Sequence, residues 1–290
     1  MGAPMSRRLL KAGYRLKVWN RTRAKAETLV TDGAELAGSA GEAVAGADAV
    51  LSILENSDVV EEVLFTKGAA QSARPNTLFV DMSSIAPDRA RTNAARLEAL
   101  GCSHLDAPVS GGPNGAEEGS LAIMAGGRIE DFERAAPILS VMGRPTHVGP
   151  PGAGQLAKLT SQMIASTAMA AVAEALLLAK AEGIDPLRIR EALAGGFGDS
   201  RILQIHGKRM VERDFVPGGH VHTFLKDLTA ARGIADAHRL DLPVTTLAYG
   251  LFRNLAASAA SCDIAAMALE IERRNLPHRI GDNCDTLPKN

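Results

Sequence analysis

Short apolar runs alternate with amphipathic stretches along the first half of the chain. Residues 16–20, 49–54 and 77–81 read as strands. Residues 23–32, 59–65 and 87–100 carry apolar positions at helical spacing. Strand patterns follow over 104–109 and 121–125, with the Gly-rich turn Ser110-Gly111-Gly112-Pro113 between them, then a helix over 129–141 and a strand over 145–148. This alternation predicts parallel βαβ units, with helices covering a sheet.

The pattern changes at Gly149-Pro150-Pro151-Gly152. From residue 153 to about 183 there is no breaker after Gly154, and small and apolar residues recur at helical spacing. This predicts one helix of about 30 residues, about 45 Å long at 1.5 Å per residue. Asp185-Pro186 opens the next helix with a cap and a proline at the first position. Only helices are expected from there to about residue 275. The chain therefore divides at 1–150, an α/β domain, and 151–290, an all-helical domain. The polar segment 280–290 is expected to be loose.

Composition narrows the class. The 290 residues are 46% hydrophobic and only 3% aromatic, with a net charge of −1. No basic excess marks a nucleic-acid surface. Cys102, Cys262 and Cys284 form an odd set without metal-ligand spacing, so no disulfide framework is expected. The apolar run 163–179 carries Glu174 and many alanines, and reads as a buried helix rather than a membrane span. With no secretion signal visible, a cytoplasmic protein is expected.

Three places carry chemistry. The stretch Ser110-Gly111-Gly112 is expected to expose backbone N–H groups, which make an anion cradle suited to a carboxylate or phosphate, or else form a ligand-free turn. At the start, Met1-Gly2-Ala3 precedes an amphipathic helix (6–12), where a dinucleotide-binding unit has a strand and Gly-x-Gly-x-x-Gly. Only Gly2 could be the last of those glycines. Either the start codon is placed too late or the fold lacks its innermost strand. After the strand at 16–20 comes Asn20-Arg21-Thr22-Arg23, where NAD-specific sites carry an acid. Arginine pairs with a 2′-phosphate, so NADP is favoured and NAD remains possible. Third, Lys158 near the start of the long helix shares a face with Ser161 and Gln162. Burial would make it a usable general acid or base; otherwise it is a solvated lysine.

Five motifs in order complete the picture: residues 2–22, Asp81-Met-Ser-Ser84-Ile-Ala-Pro87, Asp106-Ala-Pro-Val-Ser110-Gly-Gly112, Gly152-Ala-Gly-x3-Lys158 and Phe224-Leu-Lys226-Asp227-Leu228. Over roughly residues 1–275 the chain resembles the β-hydroxyacid dehydrogenases. Members of that family begin some ten or more residues earlier, with a strand and a full glycine fingerprint.

The resemblance implies a Rossmann-type dinucleotide-binding α/β domain, here without its first strand, and an all-α domain joined by the long helix. It implies an NAD(P)-dependent enzyme interconverting a short 3-hydroxy acid and its semialdehyde, with Lys158 as the catalytic lysine. Ser110, Gly111 and Gly112 match the substrate-carboxylate loop. Ser161 and Gln162 stand where the family often has a substrate-binding Asn. Gly2, Ala3, Asn20, Arg21, Thr22, Leu54, Glu55, Ser84 and Lys226 are the implied cofactor contacts. No metal is implied, and the pair His220-x-His222 is too small a set for one. A small carboxylic acid is the expected substrate, a homodimer or homotetramer the expected assembly, and neither nucleic acid nor membrane a partner. Two rivals stay open: an imine reductase-like enzyme, which typically replaces the lysine, and a non-catalytic cofactor-binding relative.

Overall fold

The computed structural model describes residues 1–288, and the chain divides into two units, Met1–Lys158 and Leu159–Asn290. The first unit opens with α1 (Gly2–Lys11), β1 (Lys17–Val18), α2 (Arg23–Glu27), β2 (Glu35–Leu36), α3 (Ala40–Val44), β3 (Ala49–Ser52) and α4 (Ser57–Glu61). It continues with β4 (Leu78–Asp81), α5 (Pro87–Glu98), β5 (Ser103–Asp106), β6 (Val109–Ser110), α6 (Gly112–Glu118), β7 (Leu121–Gly127), α7 (Ile129–Ser140) and β8 (Gly143–Gly149). Caps fix several starts. Ser39 and Asn56 accept the N–H groups of Glu42 and Val59, and Pro87 occupies the first turn of α5.

The strands form two sheets. β1 and β2 pair in parallel as a two-stranded piece. The larger sheet runs β3-β4-β5-β7-β6, with β8 beside β7. β3, β4 and β5 are parallel, but β7 is antiparallel to both β5 and β6. The sheet is therefore mixed, not wholly parallel. Among the described residues β1 and β2 pair with no strand of the larger sheet. β4 has all four residues buried, as an interior parallel strand should, whereas all four residues of the edge strand β3 are half-buried.

Local chemistry explains three departures from the expected elements. The helix expected over 23–32 stops at Glu27, because the Thr28 and Thr31 hydroxyls bond the Lys25 and Thr28 carbonyls and compete with helix propagation. The strand expected over 104–109 breaks at Ala107-Pro108, where proline has no N–H to donate to a ladder. The Gly-rich turn coils into the short helix α6, entered through Gly111 at φ 135° and left through Gly119 at φ 73°.

The long helix α8 (Ala153–Ala181) crosses the division. By length and composition alone it could cross a membrane, and just under half of its most apolar window is buried. The second unit continues with α9 (Pro186–Leu193), α10 (Lys208–Glu212), α11 (Val221–Ala237), α12 (Pro243–Ala259) and α13 (Met267–Arg273). Asp185 caps α9 through the Leu187 N–H, as its sequence predicts. Met169, Ala173 and Leu176 of α8 pack in one core with Leu228, Phe252, Met267 and Ile280.

The C-terminal segment is pinned rather than loose. Ile280 is fully buried, and Thr286 exchanges backbone hydrogen bonds with Arg213 (2.8 Å) and Phe215 (2.9 Å). Arg213, 1% exposed, pairs with Glu272 and with Asp285 at 2.8 Å. The rest of the expected loose segment, residues 289 and 290, lies outside the described residues. Replacing Arg213 would leave the buried Glu272 carboxylate without its countercharge. Arg213→Ala is therefore expected to cost about 3–5 kcal/mol, read as a lowered midpoint in urea unfolding. A loss under about 1 kcal/mol, the worth of a surface pair, would mean that this ion pair does not hold the C-terminal segment.

Candidate active site

Two carboxylates end adjacent parallel strands. Asp81 and Asp106 are register partners at the last positions of β4 and β5, and both are buried. Asp81 Oδ1 accepts the hydroxyls of Ser83 (2.6 Å) and Ser52 (2.8 Å) and the Ser83 N–H (3.1 Å). Its Oδ2 has no hydrogen-bond partner among the described residues. Burial raises the Asp81 pKa, and the hydrogen bonds oppose that rise.

Asp106 does more. Its Oδ1 accepts the Gly152 N–H at 2.7 Å and its Oδ2 the Gln155 N–H at 2.8 Å, at the start of α8. The first N–H groups of a helix have no partner within it. A carboxylate there satisfies two of them and meets the positive end of the helix dipole. Burial pushes the Asp106 pKa up to about 7, with the two amides pulling it down and nearby Asp81 adding to the rise.

The fit around this anchor excludes side chains. A Cβ on Gly126 would stand 2.6 Å from the Gly154 nitrogen and 2.7 Å from Asp106 Oδ1. One on Gly154 would collide with the Met124 and Asp106 carbonyl oxygens. The glycines that open the long helix thus let its backbone sit directly on the strand ends. Lys158 follows one turn after Gln155 and is half-buried.

The anion-cradle stretch begins at the same strand ends. Ser110 lies in β6 opposite Ala122, so it is part of the ladder and not of an open turn. Gly111 and Gly112 take φ 135° and 65° and start α6, where Pro113 has no N–H. Gly111, Gly112 and Asn114 are then the N–H-bearing residues around the first turn.

The residues expected to meet a dinucleotide lie at the start of α1 and after β1, β3 and β4, with Lys226 in the second unit. No side chain caps α1, and its first turn has no acid, so the amides of Gly2 and Ala3 face no competing carboxylate there. A Cβ on Gly2 would come within 3.3 Å of Ile53. After β1, Asn20 donates to the Thr22 carbonyl at 2.9 Å and Arg23 pairs with Glu27 at 2.8 Å. Arg21 is exposed and makes no ion pair among the described residues. Leu54 donates its N–H to Ser83 Oγ (2.8 Å), Glu55 is exposed and Ser84 is half-buried beside Ser83. This donor set, with a bare helix start and an arginine but no acid at 20–23, suits a phosphate-rich dinucleotide.

In the helical unit, Gln162 is buried and donates its amide to Asp227 Oδ2 at 2.9 Å, tying α8 to α11. Ser161 is half-buried. Lys226 is 42% exposed, its Nζ 3.4 Å from Asp227 Oδ1. His220 and His222 stack at 5.0 Å, and each directs Nδ1 at a backbone carbonyl.

The sequence reading assigns no role to Asp81, Ser83, Asp106 or Gln155. One signal was present: β4 is apolar but for its last residue, Asp81, and β5 likewise ends in an aspartate, Asp106.

Comparison with known proteins follows the same division. Residues 1–150 match the NAD-binding domain of 6-phosphogluconate dehydrogenase, and residues 152–270 match the family described as the NAD-binding of NADP-dependent 3-hydroxyisobutyrate dehydrogenase. The chain is 40% identical over 275 residues to the 2-hydroxy-3-oxopropionate reductase of Escherichia coli, covering 94% of each chain. It is 38% identical over 264 residues to the NAD-dependent L-serine dehydrogenase of Pseudomonas aeruginosa, covering 88% of this chain and 89% of that one. A solved Mycobacterium tuberculosis 3-hydroxyisobutyrate dehydrogenase superposes with a TM-score of 0.84 at 33% identity, over 93% of this chain and 95% of that chain. A Pseudomonas imine reductase, 23% identical with a TM-score of 0.63 over 93% and 96% of the two chains, shares the fold alone. With both halves matched and relatives aligned along nearly the whole length, the chain belongs to the β-hydroxyacid dehydrogenase family.

Proposed function

We propose that the protein is an NAD(P)-dependent oxidoreductase that interconverts a short 3-hydroxy acid and its semialdehyde. One observation carries the reading most directly. Asp106 ties the start of α8, one turn before Lys158, to the strand ends from which Ser110, Gly111 and Gly112 depart. A proton-carrying ammonium and a set of carboxylate-binding amides are thereby held on one rigid frame. The named relatives support the substrate class, since 2-hydroxy-3-oxopropionate, 3-hydroxyisobutyrate and L-serine are all short acids bearing oxygen at carbon 3.

Residue roles follow from donor chemistry. Ser110, Gly111 and Gly112 hold the substrate carboxylate. Lys158 hydrogen-bonds the substrate oxygen and delivers its proton during reduction. Negative charge grows on that oxygen in the transition state, so a preorganised ammonium favours the transition state over the ground state. The nicotinamide, when bound, supplies or accepts the hydride. Gly2 and Ala3 hold the pyrophosphate, and Asn20, Arg21 and Thr22 the adenosine end. Leu54, Glu55 and Ser84 line the cofactor loops, and Lys226 adds a cation toward the cofactor. Ser161 and Gln162 read the substrate substituent, although Gln162 already commits its amide to Asp227.

NADP is favoured over NAD. No carboxylate stands at 20–23 to repel a 2′-phosphate, and Arg21 is exposed while Arg23 is engaged by Glu27. A homodimer or homotetramer suits the exposed apolar residues Ile164 and Leu178 of α8, 65% and 67% accessible. Static light scattering that returned a monomer mass would remove the assembly. A cytoplasmic location agrees with three unpaired cysteines.

Lys158→Ala is expected to lower kcat for reduction of 2-hydroxy-3-oxopropionate by about 100-fold or more, the scale of losing a general acid, while NADPH fluorescence titration stays normal. Near-normal turnover would take Lys158 out of the mechanism. Arg21→Ala is expected to weaken NADPH by roughly tenfold and NADH little, about the worth of one charge-assisted contact. Equal losses for both cofactors would sink the phosphate role.

A further inference from the structure

The Gln155 side chain has no assigned role, yet it is 1% exposed and fully engaged. Its Nε2 donates to the Ser83 carbonyl at 2.8 Å and its Oε1 accepts the Ile85 N–H at 3.0 Å. Its own N–H is one of the two held by Asp106. The loop it grips is itself fastened: Ser83 Oγ accepts the Leu54 N–H and donates to Asp81. One amide side chain therefore joins the first turn of α8 to the loop after β4, and through Ser83 to the loop after β3. Ser84 and Leu54, two of the residues assigned to the cofactor, lie on those loops. Lys158 stands one turn beyond Gln155.

A primary amide suits this place for a definite reason. The loop presents one carbonyl and one N–H, and glutamine alone among unbranched side chains of this length offers both a donor and an acceptor. Methionine fills similar volume with neither. Glutamate keeps the acceptor, loses the donor and adds a charge beside two buried carboxylates.

We propose that Gln155 is a positioning residue: it locks the Lys158 helix turn to the cofactor loop so that the ammonium meets the substrate oxygen at the nicotinamide. This rests on the assignment of Lys158 given under Proposed function. Gln155 acts through the lysine and does not touch the reacting atoms. A displacement near 1 Å of a catalytic group can cost about 100-fold in rate. A loosened lysine therefore slows the chemical step more than it weakens cofactor or substrate binding.

The test compares Gln155→Met with the parent enzyme, using NADPH deuterated at nicotinamide C4 and 2-hydroxy-3-oxopropionate. Gln155→Glu serves as the second variant should the methionine protein not fold. The expected result is a fall in kcat of about 10- to 100-fold, little change in KM for NADPH, and a larger primary deuterium isotope effect because hydride transfer becomes slower relative to release steps. Both variants are repeated on the Lys158→Ala background, where they should lower the residual rate less than twofold, since the group they position is gone. A fall in kcat with an unchanged isotope effect, repeated in full on the Lys158→Ala background, would show a purely structural residue and overturn the proposal. So would unaltered kcat in Gln155→Met, or failure of both variants to fold. If Lys158→Ala itself retains full turnover, the assignment of the lysine fails instead, and the isotope effect in the single variant still reports on Gln155.

Discussion

A buried carboxylate at the head of the long helix is the constraint on which the first unit's chemistry depends. Asp106 loses solvation, which favours its neutral form, and recovers part of that loss through two helix N–H groups and the dipole behind them. The pair works only if helix backbone and strand ends come into direct contact. Gly126 and Gly154 permit this, because a Cβ at either position would strike backbone or the carboxylate itself. The cost of burying Asp106 thus fixes the glycine pattern, the glycine pattern fixes the height of α8 on the sheet, and that height sets where Lys158 stands.

The same frame serves three loops. The segment after β5 leads through Pro108 into the Gly111 and Gly112 amides, the segment after β4 carries Ser83 and Ser84, and the segment after β3 carries Leu54. All leave the carboxyl ends of β3, β4 and β5, where ligands gather in open α/β sheets. Asp81 does for the loop after β4 what Asp106 does for the helix, gathering two serine hydroxyls on one oxygen. Lone hydrogen bonds are individually modest, but a network whose members are buried and mutually oriented resists rearrangement. That rigidity is what the proton-transfer role proposed for Lys158 requires.

Much of the architecture around this network was legible in the sequence, though the network itself was not. The 3.6-residue spacing after Gly152 predicted one helix to about residue 183, and the structure has Ala153–Ala181. The run at 77–81 was readable as a strand because three apolar residues, Leu78, Phe79 and Val80, stand together in it. The five ordered motifs carried the family. What local pattern could not show was pairing over long separations. Gln155 and Ser83 are 72 residues apart, Asp106 and Gly152 46 apart, and Arg213 and Asp285 72 apart. The C-terminal segment looked loose because its polar residues gave no periodic signal, while its anchors lay far upstream. The Gly-rich stretch looked like an open turn because glycine permits many conformations; the helix it forms is set by Gly111 and by β7 behind it.

The central claim is that the Asp106 anchor holds the proton donor for the chemical step. Single-turnover oxidation of bound NADPH by saturating 2-hydroxy-3-oxopropionate in Asp106→Asn measures it most directly. The neutral amide keeps the shape of the carboxylate but turns one acceptor toward a helix N–H into a donor. The expected result is a hydride-transfer rate lowered by about 10- to 100-fold with NADPH affinity retained. A transfer rate equal to that of the parent enzyme contradicts the claim.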